Sequence, residues 1–135
     1  MLKPALAVTG ILAAPVALYL TVGGGEENTR TAGSSGFTIP SLSTQALDGK
    51  GLFSEKCGDC HGAYGEGSDN GPALIHALYD KTIFPDQAVR RAIVEGAVAR
   101  NWPFGDMPPV EGLGEQEIDG LIAFLREVQA ANDTN

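Results

Sequence analysis

The chain holds two cysteines, and both fall in the string Cys57-Gly58-Asp59-Cys60-His61. Two thiols one helical turn apart, followed directly by an imidazole, form the C-x-x-C-H signature of covalent c-type haem attachment. Each thiol adds to a vinyl group on the porphyrin edge, and the adjacent imidazole is turned to the iron as proximal ligand. This feature constrains the fold most, because a chain so marked has to build its core around a flat guest.

Other uses of the same residues fail on count or context. A structural zinc site wants four ligands, and beyond this string the chain offers only His76 and no further cysteine. A thioredoxin-like pair opens a helix inside a βαβ unit, whereas no strand-like alternation of apolar and polar residues surrounds these cysteines. A disulfide across so short a loop would be strained and would stabilise little.

The 135 residues carry a formal net charge of -8, which argues against nucleic acid as a partner and fits one small domain plus a segment of another kind. After Met1-Leu2-Lys3, residues 4–22 are apolar apart from Thr9, Gly10, Pro15 and Thr21. About 19 residues rising ~1.5 Å each just cross a hydrocarbon core of ~30 Å. Residues 1–22 therefore read as an N-terminal membrane anchor, with a cleaved signal sequence as the competing reading. Lys3 before the stretch and Glu26-Glu27 after it place the N-terminus in the cytoplasm and the remainder outside, where thiol chemistry of this kind belongs. Residues 23–43, rich in Gly, Ser and Thr, read as a flexible linker. About 20 such residues span ~25 Å r.m.s..

Residues 44–135 are left as the folded domain, a length at which side chains alone give a marginal core and a buried haem would complete it. The reading is all-α. Ser43 or Thr44 caps a helix through Lys56, with Leu47, Leu52 and Phe53 as its apolar residues. Pro85-Asp86 opens a second helix whose apolar stripe is Ala88, Val89, Ala92, Ile93 and Gly96, with Arg90, Arg91 and Glu95 on its other face. Glu115 to Gln129 forms the last, striped by Ile118, Leu121, Ile122, Leu125 and Val128, with acids in its first turn.

Gly49, Phe53, Cys57-Gly58-Asp59-Cys60-His61, Gly71-Pro72-Ala73-Leu74, Met107-Pro108-Pro109 and Leu121-Ile122-Ala123-Phe124-Leu125 resemble the ordered landmarks of class I c-type cytochromes. The match spans nearly all of residues 44–130. It implies a small cytochrome c fold, in which N- and C-terminal helices cross beside one covalently bound haem. It further implies that Gly49 permits the close crossing, that Phe53 and Phe124 pack there, and that Pro72 offers a carbonyl to the ring N–H of His61, holding the ligating tautomer.

Two residues compete for the sixth iron position. Met107 is the only methionine besides the initiator and sits in a stiff, proline-flanked stretch; its thioether is a soft ligand that raises the reduction potential. Filling a gap in the core is the alternative role for it. His76 follows Pro72 closely, on the presumed proximal side, and a surface or propionate contact suits it better. The Trp102 indole N–H could meet a haem propionate or simply pack. Lys50, Lys56 and Lys81 are candidates for a positive rim at the haem edge, although residues 44–135 hold seven Lys and Arg against fifteen Asp and Glu.

The expected function is one-electron transfer by a membrane-tethered monohaem cytochrome in the bacterial cytoplasmic membrane, its haem domain facing the periplasm. The expected partners are a quinol-oxidising, cytochrome bc1-type complex and a terminal oxidase or photosynthetic reaction centre. A fixed haem subunit of a membrane oxidoreductase and a soluble periplasmic cytochrome left by signal cleavage are the alternatives. No catalytic residue and no small-molecule substrate is expected.

Overall fold

The computed structural model describes residues 36–132. Its helices are α1 (Thr44–Lys56), the single turn α2 (Gly58–His61), α3 (Asp86–Glu95) and α4 (Glu115–Ala131), with a short 3-10 turn at Ala77–Tyr79. Extended pairing among the described residues is limited to isolated bridges, Ser68 with Gly71 and Ala97 with Met107. No described helix is long and apolar enough to cross a membrane; the anchor expected at residues 1–22 lies outside the described residues.

Capping fixes where the long helices begin. Ser43 Oγ accepts the Ala46 N–H at 3.2 Å, satisfying one of the donors a helix start leaves open. At α4 the Glu117 carboxylate reaches back to the Gly114 N–H at 2.7 Å.

The crossing of α1 over α4 holds most of the core. Gly49 is the reason it can form: a Cβ built there would lie 1.9 Å from the backbone oxygen of Gly120, so the helices meet backbone to backbone. Phe53 and Phe124 stack beside that contact with ring centroids 5.1 Å apart at 56°. Ala46, Gly49 and Phe53 are the buried residues of α1. Leu47, expected on the apolar face, is instead exposed, because the small residues and not the leucine admit α4.

Helix α3 behaves differently. Ile93 is its one buried residue, while Ala88, Val89 and Ala92 of the predicted stripe face a cavity. Its solvent face is also divided: Arg90 pairs with Glu115 at 2.6 Å and with Asp119, whereas Arg91 and Glu95 reach the cavity rim.

The linker boundary moves. Residues 37–43, which composition assigns to the linker, are attached to the domain. The Thr38 N–H donates to Asn132 Oδ1 at 2.7 Å and Thr38 O accepts from Asn132 Nδ2 at 2.8 Å. Ser43 donates to Glu127 through both its N–H and its hydroxyl. The Phe37 ring lies 6.2 Å from that of Tyr64, which continues inward to Phe124. Gly/Ser composition hid these contacts because Phe37, Thr38 and Leu42 are sparse within it.

Candidate haem site

The site begins where α1 ends. The Cys57 N–H donates to Phe53 O at 2.9 Å, and Cys57 O then accepts from Cys60 at 3.1 Å and from His61 at 2.9 Å. The cysteine string is thus one helical turn continued from the core helix, and its position inherits the rigidity of the crossing.

His61 is buried, and its Nδ1 lies 2.9 Å from Pro72 O. A carbonyl can only accept, so Nδ1 carries the proton and Nε2 keeps a free lone pair, the form a metal requires. A further bond ties this corner together, with the Gly67 N–H on His61 O at 2.7 Å.

Cys57, His61, Pro72, Trp102 and Met107 all line one cavity of about 680 Å³, within the ~300–1,000 Å³ usual for cofactor sites. Cys60 is exposed and lies outside the lining. Burial pushes the Cys57 thiol up to about 11, with Cys60 adding to the shift; this is the opposite of the lowered value an activated redox cysteine needs. The rest of the wall is mainly apolar, including Phe53, Leu74, Phe84, Leu121 and Leu125. An apolar slot with a half-buried thiol, a correctly tautomerised imidazole and a thioether fits a covalent porphyrin in shape and donor chemistry.

Two clamps close the slot. Trp102 Nε1 donates to Tyr79 Oη at 3.0 Å, so the indole N–H considered for a propionate is spent on a bridge between the 72–84 and 97–107 segments. Burial raises the Tyr79 phenol above its usual range, against a smaller lowering by Trp102. His76 is exposed; its Nδ1 accepts the Leu78 N–H at 3.1 Å, and its ring meets Trp102 edge-on at 5.3 Å. It stands outside the cavity lining.

The second clamp was not anticipated from the sequence. Arg126 of α4 donates to Tyr79 O at 2.9 Å, to Phe84 O and to Asp86 Oδ1 at 2.8 Å, and also to Gln129 Oε1 at 2.6 Å. Gln129 Nε2 adds Leu74 O at 2.8 Å. Together they fasten the 74–86 wall to the core helix. Of the cations considered for the rim, none of Lys50, Lys56 and Lys81 lines the cavity; Arg91 and Arg100 do. Lys50 sits over the Tyr64 ring at 4.8 Å, and Lys56 and Lys81 pair with Glu55 and Asp86.

A family model described as Cytochrome c matches residues 46–129, more than half of the chain. Among solved structures, the chain is similar to cytochrome CL from the marine methylotrophic bacterium Methylophaga aminisulfidivorans MPT, at 28% identity and a TM-score of 0.51. That match covers 67% of this chain and 62% of the other. No curated protein matches.

Proposed function

Because this chain belongs to the cytochrome c family, and is therefore an electron-transfer protein carrying haem c, we propose that it works as a membrane-tethered monohaem carrier on the periplasmic side. In this reading it takes electrons from a quinol-oxidising complex and delivers them to a terminal oxidase or photosynthetic reaction centre. The bound haem supplies reversible one-electron chemistry at iron. The protein supplies position and surroundings: Cys57 and Cys60 form the thioethers, His61 is the proximal ligand and Met107 the distal one.

The observation that carries this reading is the convergence of Cys57, His61 and Met107 on one largely apolar cavity. Pro72 O fixes the His61 ring through Nδ1, which is how an outer hydrogen bond sets ligand orientation and basicity. Leu121, Leu125 and Phe53 exclude water from one wall, and the Trp102–Tyr79 bond keeps the opposing segments together. An iron filled at both axial positions favours electron transfer over small-molecule binding.

The tether rests on the apolar residues 4–22 and the linker that follows; a tether keeps the carrier at high effective concentration near membrane-bound partners. A haem-stained denaturing gel of membrane and soluble fractions, from cells that mature c-type cytochromes, tests it together with the intact mass of the stained band. Stain in the membrane at full mass plus one haem is expected. A soluble band beginning near Glu26 would replace the tethered carrier with a freely diffusing one.

A further inference from the structure

Met107 does not sit on a helix, so something outside its own segment has to hold it. The end of α3 does this. Met107 O accepts the Ala97 N–H at 3.0 Å, the Met107 N–H donates to Ala97 O at 2.8 Å, and the Val110 N–H donates to Ile93 O at 2.8 Å. The methionine backbone is thereby docked against the last turn of a core-attached helix.

Gly96 stands between these bonds. Its backbone has φ 78° and ψ -179°, a region that essentially only glycine occupies. A Cβ at this position would lie 2.6 Å from Met107 O, 3.1 Å from Pro109 N and 3.2 Å from Pro109 Cδ. All three obstacles are backbone or ring atoms, which cannot rotate aside, and Pro108 and Pro109 have φ locked by their rings. Relief has to come from moving Met107 away from α3.

We propose that Gly96 is the positioning residue for Met107, and that the Gly96-Ala97 end of α3 is the seat that sets the reach of the thioether into the haem cavity. This rests on Met107 being the sixth ligand. Gly112 provides the matched control: it has the same positive φ, 78°, but a Cβ there meets nothing within 4 Å, and it lies outside the cavity lining. Backbone strain is common to both sites, and contact with Met107 belongs to one.

The test compares Gly96→Ala, Gly112→Ala and Met107→Ala in the full-length holoprotein by visible spectrum, redox titration and carbon monoxide binding to the reduced form. Helicity is followed by circular dichroism. Gly96→Ala is expected, like Met107→Ala, to keep covalent haem and helicity, to lose the thioether-to-iron charge-transfer band, to fall in potential and to admit carbon monoxide. Gly112→Ala is expected to match wild type in all of these. A wild-type spectrum in Gly96→Ala, or the same losses in Gly112→Ala, overturns the proposal while leaving Met107 as ligand. An unchanged spectrum in Met107→Ala removes the ligand reading and the proposal with it. If Gly96→Ala yields no folded holoprotein, Ala97→Pro decides, since it deletes the donor to Met107 O and sets the ring Cδ where that hydrogen stood: a weakened band supports the seat, and an intact band refutes it.

Discussion

The α1–α4 crossing and the cavity wall are built on opposite principles. Of the nine buried apolar residues among those described, eight lie on α1 or α4 and one, Ile93, on α3. The crossing packs side chain on side chain, closed at Gly49 against Gly120 and filled by Phe53 and Phe124, and only Phe53, Leu121 and Leu125 also turn a face to the cavity. The wall from Pro72 to Met107 has almost no fully buried apolar side chain of its own; most of its apolar residues face the cavity, while Ile83 and Val94 face solvent. It is held in place by hydrogen bonds: from outside, His61 to Pro72 O and Arg126 and Gln129 to the loop carbonyls, and within the wall Trp102 to Tyr79. One half of the domain is a packed helix pair, and the other is a frame completed by haem, which is how so short a domain gains sufficient core.

The largest test of this division removes the covalent link. The double variant Cys57→Ser, Cys60→Ser, produced in cells that mature c-type cytochromes, is expected to lose essentially all haem stain. Its amides in α1 and α4 should still resist hydrogen exchange, while those of residues 72–84 and 97–110 lose protection. Equal loss across both halves would mean that the crossing also depends on haem.

Next in size are changes at the crossing. Phe124→Ala empties a fully buried ring site and should cost ~4 kcal/mol in denaturant unfolding of the holoprotein. Gly49→Ala forces a methyl against backbone and should cost ~3 kcal/mol. Gly120→Ala, whose nearest obstacle is Gly49 N at 3.3 Å, should cost less. A Gly120→Ala variant as unstable as Gly49→Ala would show that helix approach is set by something other than the Gly49 side of the contact.

How much of each half could be read in advance follows the same division. Helix α4 announced itself because its stripe is periodic and long, and the α1 cap at Ser43 was legible from a side chain that bonds its own backbone. The cysteine string named the prosthetic group, since the chemistry is carried by consecutive residues. What escaped were contacts between residues far apart in sequence that leave no periodic trace. Arg126 lies beside Leu125 in an apolar stripe, and nothing local reveals that its partners are Tyr79, Phe84 and Asp86. Arg91 and Glu95 fell on the polar face of α3 by pattern but reach the rim, because a helix beside a cavity has no continuous solvent side. Gly120 did leave a signal: glycine inside an otherwise strong helix costs ~1 kcal/mol, which calls for a packing reason, and Gly49 supplies it.

The smallest expected effect concerns the ion pair among the bonds that join the two halves, Arg126 with Asp86. Asp86 begins α3, and its carboxylate is held below the usual range first by the hydrogen bond from Arg126, against a desolvation that pushes it up, with further lowering from the charges of Arg126 and Lys81. A carboxylate whose value is depressed in the folded state contributes stability above the unfolded value near 3.8, and that contribution fades as pH falls through the lower folded value. The Asp86 side chain is 44% exposed, so solvent screening limits the contribution to at most ~1 kcal/mol. Urea midpoints of the holoprotein at pH 7 and pH 3 should fall further for wild type than for Asp86→Asn, a comparison in which groups common to both proteins cancel. Arg126 keeps its bonds to Tyr79 O and Phe84 O in that variant, so the wall should stay attached and the spectrum unchanged. Equal falls in the two proteins would assign the attachment of the wall to those carbonyls and to Gln129, with the ion pair adding nothing.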